Sequence, residues 1–166
     1  KTLILARHAK SSWKDIAPDR ERPLNKRGEK DAPLLGKNLR EQGLIPHVIY
    51  SSTALRCAQT AELVAEKLTY QNEILYLDSL YLAEPHTYLE LLRSLSDEIE
   101  SVLIIGHNPG LEGLLQILSQ RVESLPTAAV AALSVPVRSW STLSPQIDVK
   151  SNISGGQNTK AQFPLK

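Results

Sequence analysis

Val102-Leu103-Ile104-Ile105, followed at once by Gly106-His107, is the stretch that decides the fold. Four apolar residues, three of them β-branched and none alternating with a polar one, read as a strand covered on both faces. Thr2-Leu3-Ile4-Leu5-Ala6 repeats the pattern at the start of the chain and runs into Arg7-His8. Between the two, Asn25 to Gln42 has helical spacing (Leu34, Leu35, Leu39) and is stopped by Gly43. Pro46 precedes a strand at His47-Val48-Ile49-Tyr50. Ser51-Ser52-Thr53 then offers an N-cap for a helix carrying Ala58, Ala61, Val64, Ala65 and Leu68 on one face. Ile74 to Leu77 reads as a weaker strand and Thr87 to Leu95 as a helix. After the deciding strand, Asn108 supplies an N-cap and Pro109 a first-turn proline for a helix over Gly110 to Leu118.

Strands therefore alternate with helices, and the strands are apolar along their length. This predicts a three-layer α/β/α fold with a mainly parallel central sheet. Ala128 to Val135 is a further strand candidate, and Trp140 to Leu143 another. From Ser144 the chain turns polar and contains Gly155-Gly156. It reads as a loop ending in a short strand near Phe163, or as a loose tail. The 166 residues fit one domain spanning 1–166. With 42% hydrophobic and 22% charged residues, disorder and fibrous classes are excluded. Lys+Arg 19 against Asp+Glu 18 leaves +1, so neither nucleic acid nor an anionic membrane is an expected partner. One cysteine excludes an internal disulfide and a cysteine-rich zinc site. No apolar run reaches ~18 residues, so no membrane span is expected and the expected location is cytoplasmic.

The chemistry sits where strands end. Arg7 and His8 follow the first strand, Arg56 lies just beyond the second, and His107 follows the deciding strand. In a parallel sheet all of these fall at the carboxyl edge, where open α/β folds bind ligands. No carboxylate is adjacent to any of them in sequence, which predicts an electropositive pocket suited to a dianion. Arg56 is the most telling. In the first turn of a helix it opposes the positive end of the dipole, a conflict that a bound anion removes. No phosphate-binding loop of the G-x-x-x-x-G-K-[ST] kind and no G-x-G-x-x-G is present. Cys57 does not open a C-x5-R loop, because position 63 is leucine, and it reads as a buried helix residue. Two histidines without a carboxylate make a poor metal site, and neither a metal nor a cofactor is expected.

The ordered pieces Leu5-Ala6-Arg7-His8-Ala9, Arg22-Pro23-Leu24-Asn25-Lys26-Arg27-Gly28, Tyr50-Ser51-Ser52 with Arg56 and Ala58-Gln59-Thr60-Ala61, and Ile105-Gly106-His107-Asn108-Pro109-Gly110 resemble the histidine phosphatase (phosphoglycerate mutase-like) superfamily. Within it the chain resembles the short SixA-like phosphohistidine phosphatases. The resemblance implies a phosphoglycerate mutase-like fold. It also implies a phosphatase in which His8 is the nucleophile and becomes phosphorylated, while Arg7, Arg56 and His107 hold the phosphoryl oxygens. Fixed cations around a transferring phosphoryl group stabilise its equatorial charge, and neighbouring positive charge keeps an attacking histidine unprotonated. His107, if protonated, would add a cation. Asn108 is a further candidate for the phosphoryl group. Glu84 is the candidate general acid, with a helix-start carboxylate as its structural alternative. Ala9 stands where many members of the family have glycine.

Only the loop Ser11–Pro23, with Trp13, offers a rim to the pocket, and an open pocket suits a phosphorylated side chain on a protein surface. The expected partner is thus a phosphohistidine protein such as a phosphotransfer domain. The rival readings are a phosphomonoesterase of small phosphoesters and a non-catalytic phosphate-binding module. The oligomeric state is left open.

Overall fold

The computed structural model describes residues 1–14, 16–145 and 149–154. Ten elements carry the chain: β1 (Thr2–Arg7), α1 (Lys26–Glu41), β2 (Val48–Ser52), α2 (Leu55–Leu68), β3 (Ile74–Leu77), α3 (Pro85–Arg93), β4 (Ser101–Gly106), α4 (Gly110–Ser119), β5 (Val130–Ser134) and β6 (Lys150–Ser154). Short 3-10 turns stand at Asp19–Glu21, Asp78–Leu80 and Trp140–Thr142.

The strands form a six-stranded sheet in the order β3-β2-β4-β1-β5-β6. The pairs β3/β2, β2/β4 and β4/β1 are parallel, while β5 and β6 add on antiparallel. Side chains alternate across the sheet with period two. Leu3, Leu5, Val102 and Ile104 pack against α3 and α4, and Ile4, Ala6, Leu103 and Ile105 pack against α1 and α2. The predicted three-layer fold with a mainly parallel sheet is therefore what forms.

Local boundaries depart from the sequence reading at several points. β2 runs on through Ser52, which pairs with Leu77, so Thr53 is not the cap of α2. The cap is Ala54, whose carbonyl accepts from Cys57 and Ala58, and Arg56 still falls in the first turn. α4 is capped by Pro109 after a cis Asn108–Pro109 bond, so Asn108 lies one residue before the cap, and its Oδ1 accepts no hydrogen bond among the described residues. Leu34 is half exposed. The buried stripe of α1 is Ala32, Leu35, Gly36 and Leu39, and Leu34 lies one residue off it. Gly43 does end this region with a positive φ of 69°, a conformation that favours glycine.

Trp140–Leu143 is a 3-10 turn rather than a strand. The Trp140 indole is buried and donates to the Ile99 carbonyl at 2.6 Å, and the Ser139 hydroxyl accepts from Ser141 N–H. The polar stretch after Ser144 contains the strand β6. The expected strand near Phe163 lies outside the described residues. Among those described, no helix is long and apolar enough to cross a membrane.

Candidate active site

Register explains why residues a hundred positions apart meet. Arg7 pairs with Gly106 across β1 and β4, so His8 and His107 each follow as the next residue on adjacent parallel strands. Neighbouring strands are ~4.8 Å apart, and the two imidazole centroids are 5.3 Å apart, edge to face. Gly106 makes room beside this pair for Tyr88. A Cβ there would run into the Tyr88 hydroxyl, and that hydroxyl accepts from His107 N–H at 3.3 Å. On the other side of β4, Ser51 pairs with Ile105, which brings Ser52 beside His107.

His8 is buried and donates Nδ1–H to its neighbour's carbonyl, Ala9 O, at 2.8 Å. That fixes the tautomer and leaves the Nε2 lone pair bare. Arg56 Nε–H points at this nitrogen from 3.3 Å. Burial pushes the His8 pKa down to about 4; the Ala9 bond opposes the shift, and Arg56, Arg7 and Arg22 reinforce it. The ring is therefore neutral at neutral pH and available as a nucleophile. Two residues of the Ala58-Gln59-Thr60-Ala61 motif brace it. Thr60 Oγ1 accepts from Ala9 N–H (3.0 Å) and donates to the Arg56 carbonyl (2.6 Å), while Gln59 Oε1 accepts from Leu24 N–H (2.8 Å).

His107 is also buried and neutral. Burial first, then the charges of His8 and Arg56, lower its pKa to about 3. In the free site His107 is therefore neutral, and the condition under which it would add a cation is not met there. Arg7 donates Nη1–H to Leu125 O at 3.1 Å, and its buried Nε–H has no hydrogen-bond partner. An arginine donor left unsatisfied beside two histidines suits an incoming anion. Asn108 Nδ2 donates to the same Leu125 carbonyl at 2.8 Å, so its donor braces the group that holds Arg7.

A carboxylate that the sequence reading missed sits in the same site. Asp19, in the 3-10 turn of the Ser11–Pro23 loop, places Oδ2 3.0 Å from Arg56 Nη2. Its other oxygen takes Arg22 Nη1 at 2.7 Å, and the Tyr81 hydroxyl donates to Oδ2 at 2.8 Å. Arg56 Nη1 also donates to the Asp19 carbonyl at 2.6 Å. Partial burial raises the Asp19 pKa, but the bonds from Tyr81 and Arg56 outweigh it and hold the carboxyl below its ordinary value. The pocket expected to be electropositive thus also holds a carboxylate, supplied by a residue distant in sequence from the four cations and histidines. Sequence adjacency could not show Asp19, because the loop folds back. Arg22 closes that loop by donating to Ser12 O at 3.0 Å, and Trp13 lies against its guanidinium, 3.3 Å from the ring centroid. The one signal was the Asp19-x-x-Arg22 spacing directly ahead of Pro23-Leu24.

Glu84 caps α3 through its backbone and is exposed, and its side chain makes no hydrogen bond or ion pair among the described residues. Cys57 is fully buried, with its thiol pushed up to about 12 by burial. No cluster of three or more potential metal ligands occurs among the described residues.

Comparison with known proteins places this geometry. The histidine phosphatase superfamily (branch 1) profile matches residues 3–80. An uncharacterized protein of Mycobacterium tuberculosis is 31% identical over 150 residues, covering 84% of this chain and 92% of its own. A SixA candidate phosphohistidine phosphatase from Agrobacterium tumefaciens shares 31% identity at a TM-score of 0.76, over 81% of this chain and 91% of that one. The protein histidine phosphatase SixA, solved with tungstate, superposes at a TM-score of 0.83 with 24% identity, over 96% of this chain and 100% of that one. The fold and the paired histidines at one sheet edge mark an enzyme that handles phosphoryl groups. The chain belongs to the histidine phosphatase superfamily, in its SixA-like branch, and is a phosphatase.

Proposed function

We propose that the chain hydrolyses phosphohistidine on a protein through a phosphohistidine intermediate of its own at His8. The observation that carries this reading is the state of the His8 ring. Nδ1–H is tied to Ala9 O, Nε2 is unprotonated and accepts only from Arg56 Nε–H, and the ring is neutral amid Arg7, Arg22 and Arg56. The Nε2 lone pair attacks phosphorus as the substrate's own P–N bond breaks, and the departing imidazole takes a proton. Water then attacks phosphorus, the P–Nε2 bond breaks, and phosphate leaves. Arg7, Arg56 and His107 hold the three equatorial oxygens of the transferring phosphoryl group, where charge accumulates.

The acid is assigned to Asp19. It bonds Arg56, whereas Glu84 is exposed and has no hydrogen bond to the cluster among the described residues. A phosphoryl dianion arriving at Arg56 competes with the Asp19 carboxylate, and like charge raises the pKa of that carboxyl until it can give up a proton to the leaving nitrogen.

A protein substrate is supported by the likeness to SixA and by the rim, where Trp13, Ile16 and Leu82 are exposed. The partner in this reading is a phosphotransfer domain carrying phosphohistidine. A cytoplasmic setting suits a chain whose one thiol is free and buried. The test is a substrate panel: phosphohistidine protein should be dephosphorylated far faster than small phosphoesters. Rapid turnover of small phosphoesters with phosphohistidine left intact would overturn the substrate assignment.

A further inference from the structure

His107 presents one ring nitrogen to the reaction site and the other to the interior. Nδ1 lies 3.4 Å from Arg56 Nη2. A guanidinium only donates, so in this state Nδ1 carries its lone pair. The ring proton then sits on Nε2, 2.9 Å from Ser52 Oγ, which accepts it. A phosphoryl oxygen, however, only accepts. To hold one, Nδ1 must carry a proton. Either the ring takes up a second proton, or the first one changes place.

The groups facing His107 are His8 and Arg7 from β1 and its end, Arg56 and Cys57 from α2, Tyr88 from α3, and Asp19 and Tyr81 from the loops. In the free enzyme burial and the net positive surroundings keep a second proton off the ring down to about pH 3, and a bound dianion works against them. Changing the tautomer avoids that cost, but it needs a partner at Nε2 that can both accept and donate. The Ser52 hydroxyl is such a group. It is fully buried and placed at Nε2 by the β2/β4 register, and its oxygen already accepts from Ala54 N–H at 3.2 Å. The Cys57 thiol, 3.5 Å away, is a weak substitute.

We propose that Ser52 is a positioning residue that lets a neutral His107 exchange tautomers when a phosphoryl group binds. In the free enzyme Ser52 accepts from Nε2–H. In the complex it turns its own O–H toward Nε2, and His107 offers Nδ1–H to the phosphoryl oxygen. Nε2 loses one proton as Nδ1 gains one, so the ring stays uncharged and no net proton is bound. The inference rests on His107 as a phosphoryl ligand.

The test is nitrogen-15 NMR of the histidine-labelled protein with tungstate, a dianion at neutral pH. Free protein should show His107 protonated at Nε2, and the complex should show it protonated at Nδ1 only. A doubly protonated ring in the complex would overturn the tautomer exchange while leaving His107 as ligand. Tungstate that binds without altering the His107 ring would overturn both. Tungstate affinity between pH 6 and 8 gives a second arm. Ser52→Ala should add a loss of about tenfold per pH unit relative to unsubstituted protein, the signature of one extra bound proton. Ser52→Thr should restore the parent profile. Asp19 is common to all three proteins, so any proton it binds cancels in the comparison. Parallel profiles for Ser52→Ala and the parent protein would contradict the proposal.

Discussion

His8 and His107 hold the same ring in opposite tautomers. Ala9 O takes the Nδ1 proton of one, and Ser52 Oγ takes the Nε2 proton of the other. The bare nitrogen of each ring faces Arg56. His8→Ala should abolish turnover, read as initial rate on phosphohistidine protein. Arg56→Ala should cost about 10²–10³ in kcat, as for loss of one preorganised donor at an oxyanion. Asp19→Asn should slow poor leaving groups far more than activated aryl phosphates, with Glu84→Gln leaving both near the parent rate. A leaving-group dependence that appears with Glu84→Gln instead would move the acid to that residue. The cations and histidines were legible in sequence because strand ends carry them, and the sheet brings strand ends together. Asp19 and Tyr81 were not, because loops bring them in and their contacts follow no period. Ser52 was visible as a residue near a helix start and as part of the Tyr50-Ser51-Ser52 piece; its contact with His107 needed the register of β2 on β4.

At the scale of elements, the loop Ser11–Pro23 and the turn at Gly106 set the site. The loop is tied at its base by Ser12 N–H to Pro23 O (2.9 Å) and Asn25 N–H to Lys10 O (2.9 Å). At its tip Arg20 bonds Thr53 and Asp78. The tight site at Gly106 gives a coupled prediction. Gly106→Ala forces a methyl against the Tyr88 hydroxyl and should destabilise the fold by about 1–3 kcal/mol, the usual cost of overpacking. Adding Tyr88→Phe removes the atom it strikes and should recover part of that loss in a denaturant melt. Equal, additive losses would show that the clash is not where the stability goes. Apolar runs made the strands legible, because a strand covered on both faces has no other composition open to it. Trp140–Leu143 misled because Trp and Leu also suit a buried 3-10 turn when the indole N–H finds a carbonyl, here Ile99 O.

At the scale of the whole molecule, two buried neutral histidines make stability depend on pH. Their folded pKa values, about 4 and about 3, lie below the ordinary 6.5. Between those limits the unfolded chain binds more protons than the folded one. The contribution is complete above pH 6.5 and is lost as pH falls, at up to about 1.4 kcal/mol per unit for each ring. Thermal melts of ligand-free protein should therefore drop between pH 7 and pH 5, above the range where most carboxylates titrate. His8→Asn and His107→Asn should each flatten that slope. A melting temperature indifferent to pH over this interval would contradict the neutral, buried placement of both rings.

The central claim is that the phosphoryl group passes through His8 Nε2. Its most direct measurement is rapid quenching into alkali during turnover of phosphohistidine protein, followed by mass spectrometry of the enzyme's peptides. The expected result is an alkali-stable, acid-labile phosphate on His8 that forms and decays at rates compatible with turnover. Turnover with no phosphate on His8, or a His8→Ala protein that still hydrolyses the substrate, would contradict it.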